Sequence, residues 1–402
     1  MTAVRTPTTT SSVPSSHSRG ERLLGRLGLG PREAAISILA VGLGLFWLAY
    51  LLVGYSGGST VEGAWIPARE PWAFDLAAYV SAAQRLVADG SLYAADLIAG
   101  PFEPGPADLF YYAPPLGVAM LPFTELSLGD AAVIWWLVRI AALLLACALM
   151  PVRVVIRALA FAVVAFSLPG LKDPLLGNVS VLLLLPLVAG WRWMDRPIGS
   201  MALAAAMSVR PSLGILLAWQ LLRRRWTAAL WTIGAGLALI LFTLPFVGID
   251  GYFDYLAVIA NLDVPVGFSE NRDLGATALH LGAPDALVGV IRLGSIGIGV
   301  VAILLGLRRD REISYMVTLT ASLLLVPLLW DHYLATLVIP AALLAERWHP
   351  VAIVLPLLAW LPAPLLPVVV LFVMTLPFLV PDREVRRGTE LTAQPRVEAG
   401  HA

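Results

Sequence analysis

Asp75 and Arg210 are the charged residues whose neighbours point most directly to chemistry. Asp75 opens the stretch Phe74 to Gly90. At a period of 3.6, Leu76, Tyr79, Val80, Ala83, Leu86 and Val87 share one face, and Ser81, Gln84, Arg85 and Asp89 share the other. The pattern predicts an amphipathic helix along a membrane surface, with Asp75 in its first turn and Gly90 just past its end. A carboxylate there has two readings. It is a general base taking a proton from an acceptor hydroxyl, or an N-cap satisfying orphan amides at the positive end of the helix dipole. Arg210 lies inside the apolar run Ile198–Leu222, where a charge is costly unless it is paired or faces a wet cavity. Its guanidinium suits a phosphate, and Pro211 breaks the helix so that two half-helix ends can add amide donors. A structural ion pair with a buried carboxylate is the other reading.

Further polar and aromatic clusters interrupt the apolar sequence. Trp330-Asp331-His332-Tyr333 packs a carboxylate, an imidazole and two aromatics between apolar runs, either lining a pocket or forming a polar turn. Tyr93 and Phe110-Tyr111-Tyr112 precede the paired Pro114-Pro115; such rings anchor at membrane interfaces or stack on sugar faces. Lys172-Asp173 reads as an ion pair in a short outer connector, although Lys172 is the only lysine of the chain. Asn178-Val179-Ser180 fits a glycosylation acceptor, incidentally at a helix edge. No P-loop, nucleophile elbow, paired-His motif or other metal-ligand cluster is present, and the lone Cys147 reads as a packing residue.

The elements that must position these residues are membrane helices. Of 402 residues, 59% are hydrophobic and 13% charged, which excludes an ordinary soluble domain. Apolar runs occur at 34–53, 130–150, 154–168, 179–194, 198–222, 226–247, 286–307, 313–329, 333–344, 350–361 and 364–379, with a shorter run at 114–126. Arginine-rich connectors can all be cytoplasmic if 114–126 does not span and 198–222 goes out and back as two half-helices broken at Arg210-Pro211. The connectors 56–112 and 249–284 then fall outside. Residues 1–33 read as a disordered basic cytoplasmic tail, 34–380 as one transmembrane domain and 381–402 as a second cytoplasmic tail.

The order Asp75-x3-Tyr79, Gly90-Ser91-Leu92-Tyr93 and Phe110-Tyr111-Tyr112-x-Pro114-Pro115 resembles the opening of glycosyltransferase family 87, in the GT-C superfamily. The similarity continues through Gly177-Asn178, Ser208-Val209-Arg210-Pro211 and Leu221 to Trp226, from about Phe74 to Tyr333. It implies an all-α, polytopic GT-C fold, for which the apolar runs give about 11–13 membrane segments, with Asp75 matching the family's catalytic aspartate. Where this chain has Asn178 and Arg210, members commonly have Gln and Lys, and the loop around Asn271 follows the family motif only loosely.

The expected activity is inverting transfer of a sugar, mannose or a related hexose or pentose, from a polyprenyl-phosphate donor. The acceptor is an envelope lipid or glycan at the outer face of a bacterial inner membrane, with both termini cytoplasmic. Arg210 is expected to bind the donor phosphate. Tyr79, Tyr93, Tyr112, Asn178, Asn271, Asp331, His332 and Tyr333 are the pocket candidates. No cofactor, metal or nucleic acid is expected. The competing classes are a lipid or solute transporter and a non-catalytic scaffold for envelope assembly.

Overall fold

Long apolar runs have no water to satisfy their amides in a bilayer, so the chain must satisfy them within helices. The computed structural model describes residues 30–56, 72–100, 110–261 and 270–382, and is 80% helical with no strand among them. The protein is therefore an all-α polytopic membrane protein. Among the described residues, four helices are long and apolar enough to cross on their own: Pro31–Ser56, Leu128–Leu149, Trp226–Val247 and Asp285–Gly306. At 22 residues, the last three each span about 33 Å. Residues 1–29 and 383–402, and the parts 57–71, 101–109 and 262–269 of the two long connectors, lie outside the described residues.

One further pair of apolar helices is sharply bent. Val154–Phe166 and Leu168–Leu176 meet at 61°. Ser167 leaves the helical conformation there, and its hydroxyl accepts from the amide of Gly170 at 3.2 Å, restarting the chain in a new direction. A side chain at Gly170 would overlap the carbonyl oxygen of Val164, so the turn requires glycine.

Other elements are shorter than their apolar runs. The 114–126 run forms only the short helices Pro114–Ala119 and Leu121–Phe123. The 198–222 run divides into Pro197–Val209, a 3-10 turn at Pro211–Gly214 and Ile215–Leu222, with Arg210 extended at the break. The 313–329 run is helical only over Arg311–Ala321, and an irregular segment follows to Trp330. Prolines 350 and 356, which lack amide donors, lie in an unusually long 3-10 helix, Pro350–Trp360.

Two sequence expectations are corrected by the packing. The helix Phe74–Asp89 forms with the expected buried face of Leu76, Tyr79, Val80, Ala83 and Leu86, but Val87 is exposed. That face packs against Phe110, Tyr112, Leu116 and Trp135 inside the protein, so it is not spent on lipid. Lys172 and Asp173 lie within the helix Leu168–Leu176, not in a connector, and they do not pair with each other.

Candidate functional site

Asp75 does not cap its helix. The N-cap is Ala73, in a left-handed conformation with no side-chain cap bond, and its amide donates to Leu175 O at 2.7 Å. Asp75 sits in the following turn, where its Oδ2 accepts a hydrogen bond from Asn178 Nδ2 at 2.6 Å. Asp75 is therefore not the N-cap; from the first turn it still complements the positive end of the helix dipole, and it also lines the cavity beside it.

Asn178 is held from every side. Gly177 adopts φ +75°, and a Cβ there would lie 2.7 Å from Leu76 Cβ, so a glycine lets the loop approach the helix bearing Asp75. Trp135 Nε1 donates to Gly177 O at 2.8 Å. Arg139 and Asp173 form a buried ion pair at 3.1 Å, and Arg139 also donates to the carbonyls of Asp173, Pro174 and Asn178. Asp173 Oδ2 accepts from the amide of Val181 at 3.1 Å. The fixed donor at Ser180 N, 2.9 Å from Asn178 Oδ1, decides the amide's orientation: its NH2 group must face Asp75.

The same oxygen of Asn178 accepts from Ser180 Oγ at 2.9 Å, and Ser180 Oγ accepts from Arg210 Nη2 at 2.8 Å. A relay of two side chains thus connects Arg210 to Asp75. Arg210 is buried, with its guanidinium carbon 3.6 Å from the centroid of the Tyr333 ring, and its Nη1 has no hydrogen-bond partner among the described residues.

Beside Asp75 opens a cavity of about 830 Å³ empty volume, its mouth included. Tyr79, Tyr111, Tyr112 and Trp330 supply aromatic wall, and Lys172, Glu270, Asp331 and His332 supply polar groups. Burial, with further effects from neighbouring tyrosines and Asp75, pushes the hydroxyls of Tyr79, Tyr111 and Tyr112 well above their ordinary range. They stay neutral and able to donate; Tyr79 already donates to Tyr112 at 3.1 Å. Burial alone would raise the carboxyl of Asp331. The bond from Arg272 Nε at 2.8 Å and the charge of Lys172 outweigh it and hold the group below the usual carboxylate range. Lys172 pairs with Asp331 and remains partly exposed.

Of the candidates read from sequence, Asp75, Tyr79, Tyr112, Asp331 and His332 line the cavity, and Asn178 touches Asp75. Arg210 and Tyr333 stand behind the wall. Tyr93 does not reach the cavity; it is buried with its hydroxyl on Tyr112 O at 2.8 Å. Asn271 is also elsewhere, bonding Asp273, Pro327 O and the amide of Leu329, so it fastens the segment before the helix Leu274–His280 to the irregular 322–330 segment. Tyr111 and Trp330, which the sequence groups with the aromatic and polar clusters, also line the cavity; the sequence reading did not single out Lys172, which lines it too, or Ser180, which bonds Asn178 and Arg210, and the singular lysine was the signal available for the former. Among the described residues, no group of three His, Cys, Asp or Glu side chains is placed to hold a metal ion.

The arrangement combines a carboxylate base, a cation, neutral hydroxyl donors and aromatic surface. Those groups suit a sugar-bearing anion and a hydroxyl nucleophile. A family model described as glycosyltransferase family 87 matches residues 110–340. The match includes Tyr112, Lys172, Asn178, Arg210 and Asp331, while Asp75 and Tyr79 precede it. Comparison with curated proteins and with solved structures gives no match.

Proposed function

The chain belongs to glycosyltransferase family 87 and is a membrane glycosyltransferase, and from that premise we propose that it moves a sugar from a polyprenyl-phosphate donor to a lipid or glycan hydroxyl at the outer face of a bacterial inner membrane. In this reading the sugar occupies the cavity beside Asp75, with the donor's lipid tail in the bilayer. Mannose, or a related hexose or pentose, is the proposed sugar.

Asp75 takes the proton of the acceptor hydroxyl as that oxygen attacks the anomeric carbon. The bond from that carbon to the phosphate oxygen breaks, polyprenyl phosphate leaves, and the configuration inverts. Lys172, which faces the cavity, neutralises the departing phosphate. Arg210 adds positive potential from behind Tyr333 and holds the relay to Asn178. His332 and the tyrosine hydroxyls orient the sugar. What supports the reading is the Asp75 carboxylate: it is not the N-cap of its helix, it accepts from Asn178, and it lines an aromatic cavity that Lys172 also lines.

Purified full-length protein supplied with radiolabelled polyprenyl-phosphate sugars and, separately, with nucleotide sugars should transfer only from the lipid-linked donors. Transfer from a nucleotide sugar would refute the donor class, and no transfer from any lipid-linked donor would favour a transporter. Lys172→Ala and Arg210→Gln should each raise the donor KM; an unchanged donor affinity in both would remove the cationic assignment.

The relay makes a separate prediction. In Asn178→Asp a second carboxylate stands beside Asp75, and adjacent carboxylates cannot both ionise at their ordinary pH. The acidic limb of the pH–rate profile should shift to higher pH, and Asn178→Gln should leave that limb nearer wild type. An Asn178→Asp profile superimposable on wild type would show that residue 178 does not act on the base.

A further inference from the structure

The helix Ser180–Arg192 leads from the candidate site to a second polar space at its other end, about 20 Å away. This cleft has about 1580 Å³ of empty volume, open mouth included. Its charge is unbalanced: seven arginines, 192, 196, 223, 308, 309, 311 and 347, face four acids, Asp195, Asp310, Glu312 and Asp382. The acids are already engaged. Arg347 holds Asp310 and Glu312, Arg309 holds Asp382, and Asp195 is shared by Arg311 and Arg225.

Arg196 and Arg308 are exposed, and their side chains make no hydrogen bond or ion pair among the described residues. A smaller adjoining recess shares Met194, Asp195 and Arg196 with the cleft and adds Arg224, whose side chain is likewise uncommitted. That recess runs onto Trp226 and Trp231 at the start of a membrane helix. Trp226, Leu230, Ile233, Leu237 and Leu241 continue from it as one exposed apolar stripe at helical spacing. Cationic groups at the mouth and an apolar stripe leading away match the two ends of a charged lipid.

We propose that Arg196, Arg224 and Arg308 form a binding site for the phosphate headgroup of an anionic lipid whose acyl chains lie along the Trp226–Val247 helix. The site is separate from the sugar-transfer cavity and does not depend on the transferase reading. A free phosphate would satisfy the arginines equally but would make no use of the stripe, so the two sources are separable.

The test uses the full-length protein purified in detergent, with lipid binding read by native mass spectrometry. Phosphatidylglycerol should bind more tightly than phosphatidylcholine. The triple variant Arg196→Gln/Arg224→Gln/Arg308→Gln should weaken phosphatidylglycerol binding by about tenfold or more. Arg32→Gln, an exposed arginine outside the cleft, should leave it unchanged. A photoreactive phosphatidylglycerol should crosslink wild-type protein within residues 226–241, which tests the site even if the triple variant folds poorly. Equal binding of the two lipids, an unaltered affinity in the triple variant, or crosslinks confined to other helices would each overturn the proposal. Inorganic pyrophosphate binding as tightly as phosphatidylglycerol would overturn the lipid assignment.

Discussion

Asp75→Asn protein will fold, bind donor and transfer sugar at least about a hundredfold more slowly than wild type. The substitution is nearly isosteric, and the amide oxygen of the new side chain can still accept from Asn178 Nδ2, so the relay through Ser180 to Arg210 keeps its geometry. What disappears is the capacity to hold a proton taken from the acceptor. The loss therefore belongs in kcat, with the donor KM little changed. The measurement is transfer from a radiolabelled polyprenyl-phosphate sugar, beside the thermal midpoint of the same preparation. Equal turnover at equal stability would remove Asp75 from the chemistry. A large fall in stability would mean that its role is structural after all.

The largest loss of stability should come from Asp173→Ala, destabilising by about 3–5 kcal/mol. Asp173 is fully buried and Arg139 nearly so, which leaves the guanidinium charge uncompensated when the carboxylate goes. The amide of Val181 loses its acceptor as well. Replacing both partners, as in Arg139→Leu/Asp173→Leu, should recover only part of the loss, because Arg139 also serves the carbonyls of Asp173, Pro174 and Asn178. Thermal unfolding of the detergent-solubilised full chain checks both expectations; a midpoint equal to wild type in the single variant contradicts the first. Since those carbonyls belong to the loop carrying Asn178, transfer should also fall in any fraction of Asp173→Ala that remains folded.

How much of this was legible from sequence depended on the range of the interaction. Trp226–Val247 was readable to the residue because an uninterrupted apolar run in lipid has one solution. The buried face of Phe74–Asp89 was readable from its period, but not what would cover it, since protein and lipid are equally apolar partners. The break at Arg210-Pro211 followed from proline's missing donor. By contrast, Lys172 and Asp173 were joined because they are adjacent, yet consecutive residues on a helix point about 100° apart. One turns outward to Asp331, 159 positions away, and the other inward to Arg139, 34 positions away. Separations of that kind leave no local trace. Asn271 illustrates the same limit: its chemistry suggested a ligand-binding side chain, and only the fold shows it occupied with Asp273 and the main chain of 327–329.

The shared carboxylate of Asp331 has one more implication. Because Lys172 and Arg272 both hold it, an arriving anion can detach the lysine without abandoning Asp331, which keeps Arg272 as its counter-ion. The lysine is in this sense on loan: a partner exchange leaves no buried charge stranded at either stage. In the proposed reaction its reversal, when the lysine returns to Asp331, would oppose lasting retention of the spent phosphate, so the ion pair that yields the lysine to a ligand would also help to release that ligand.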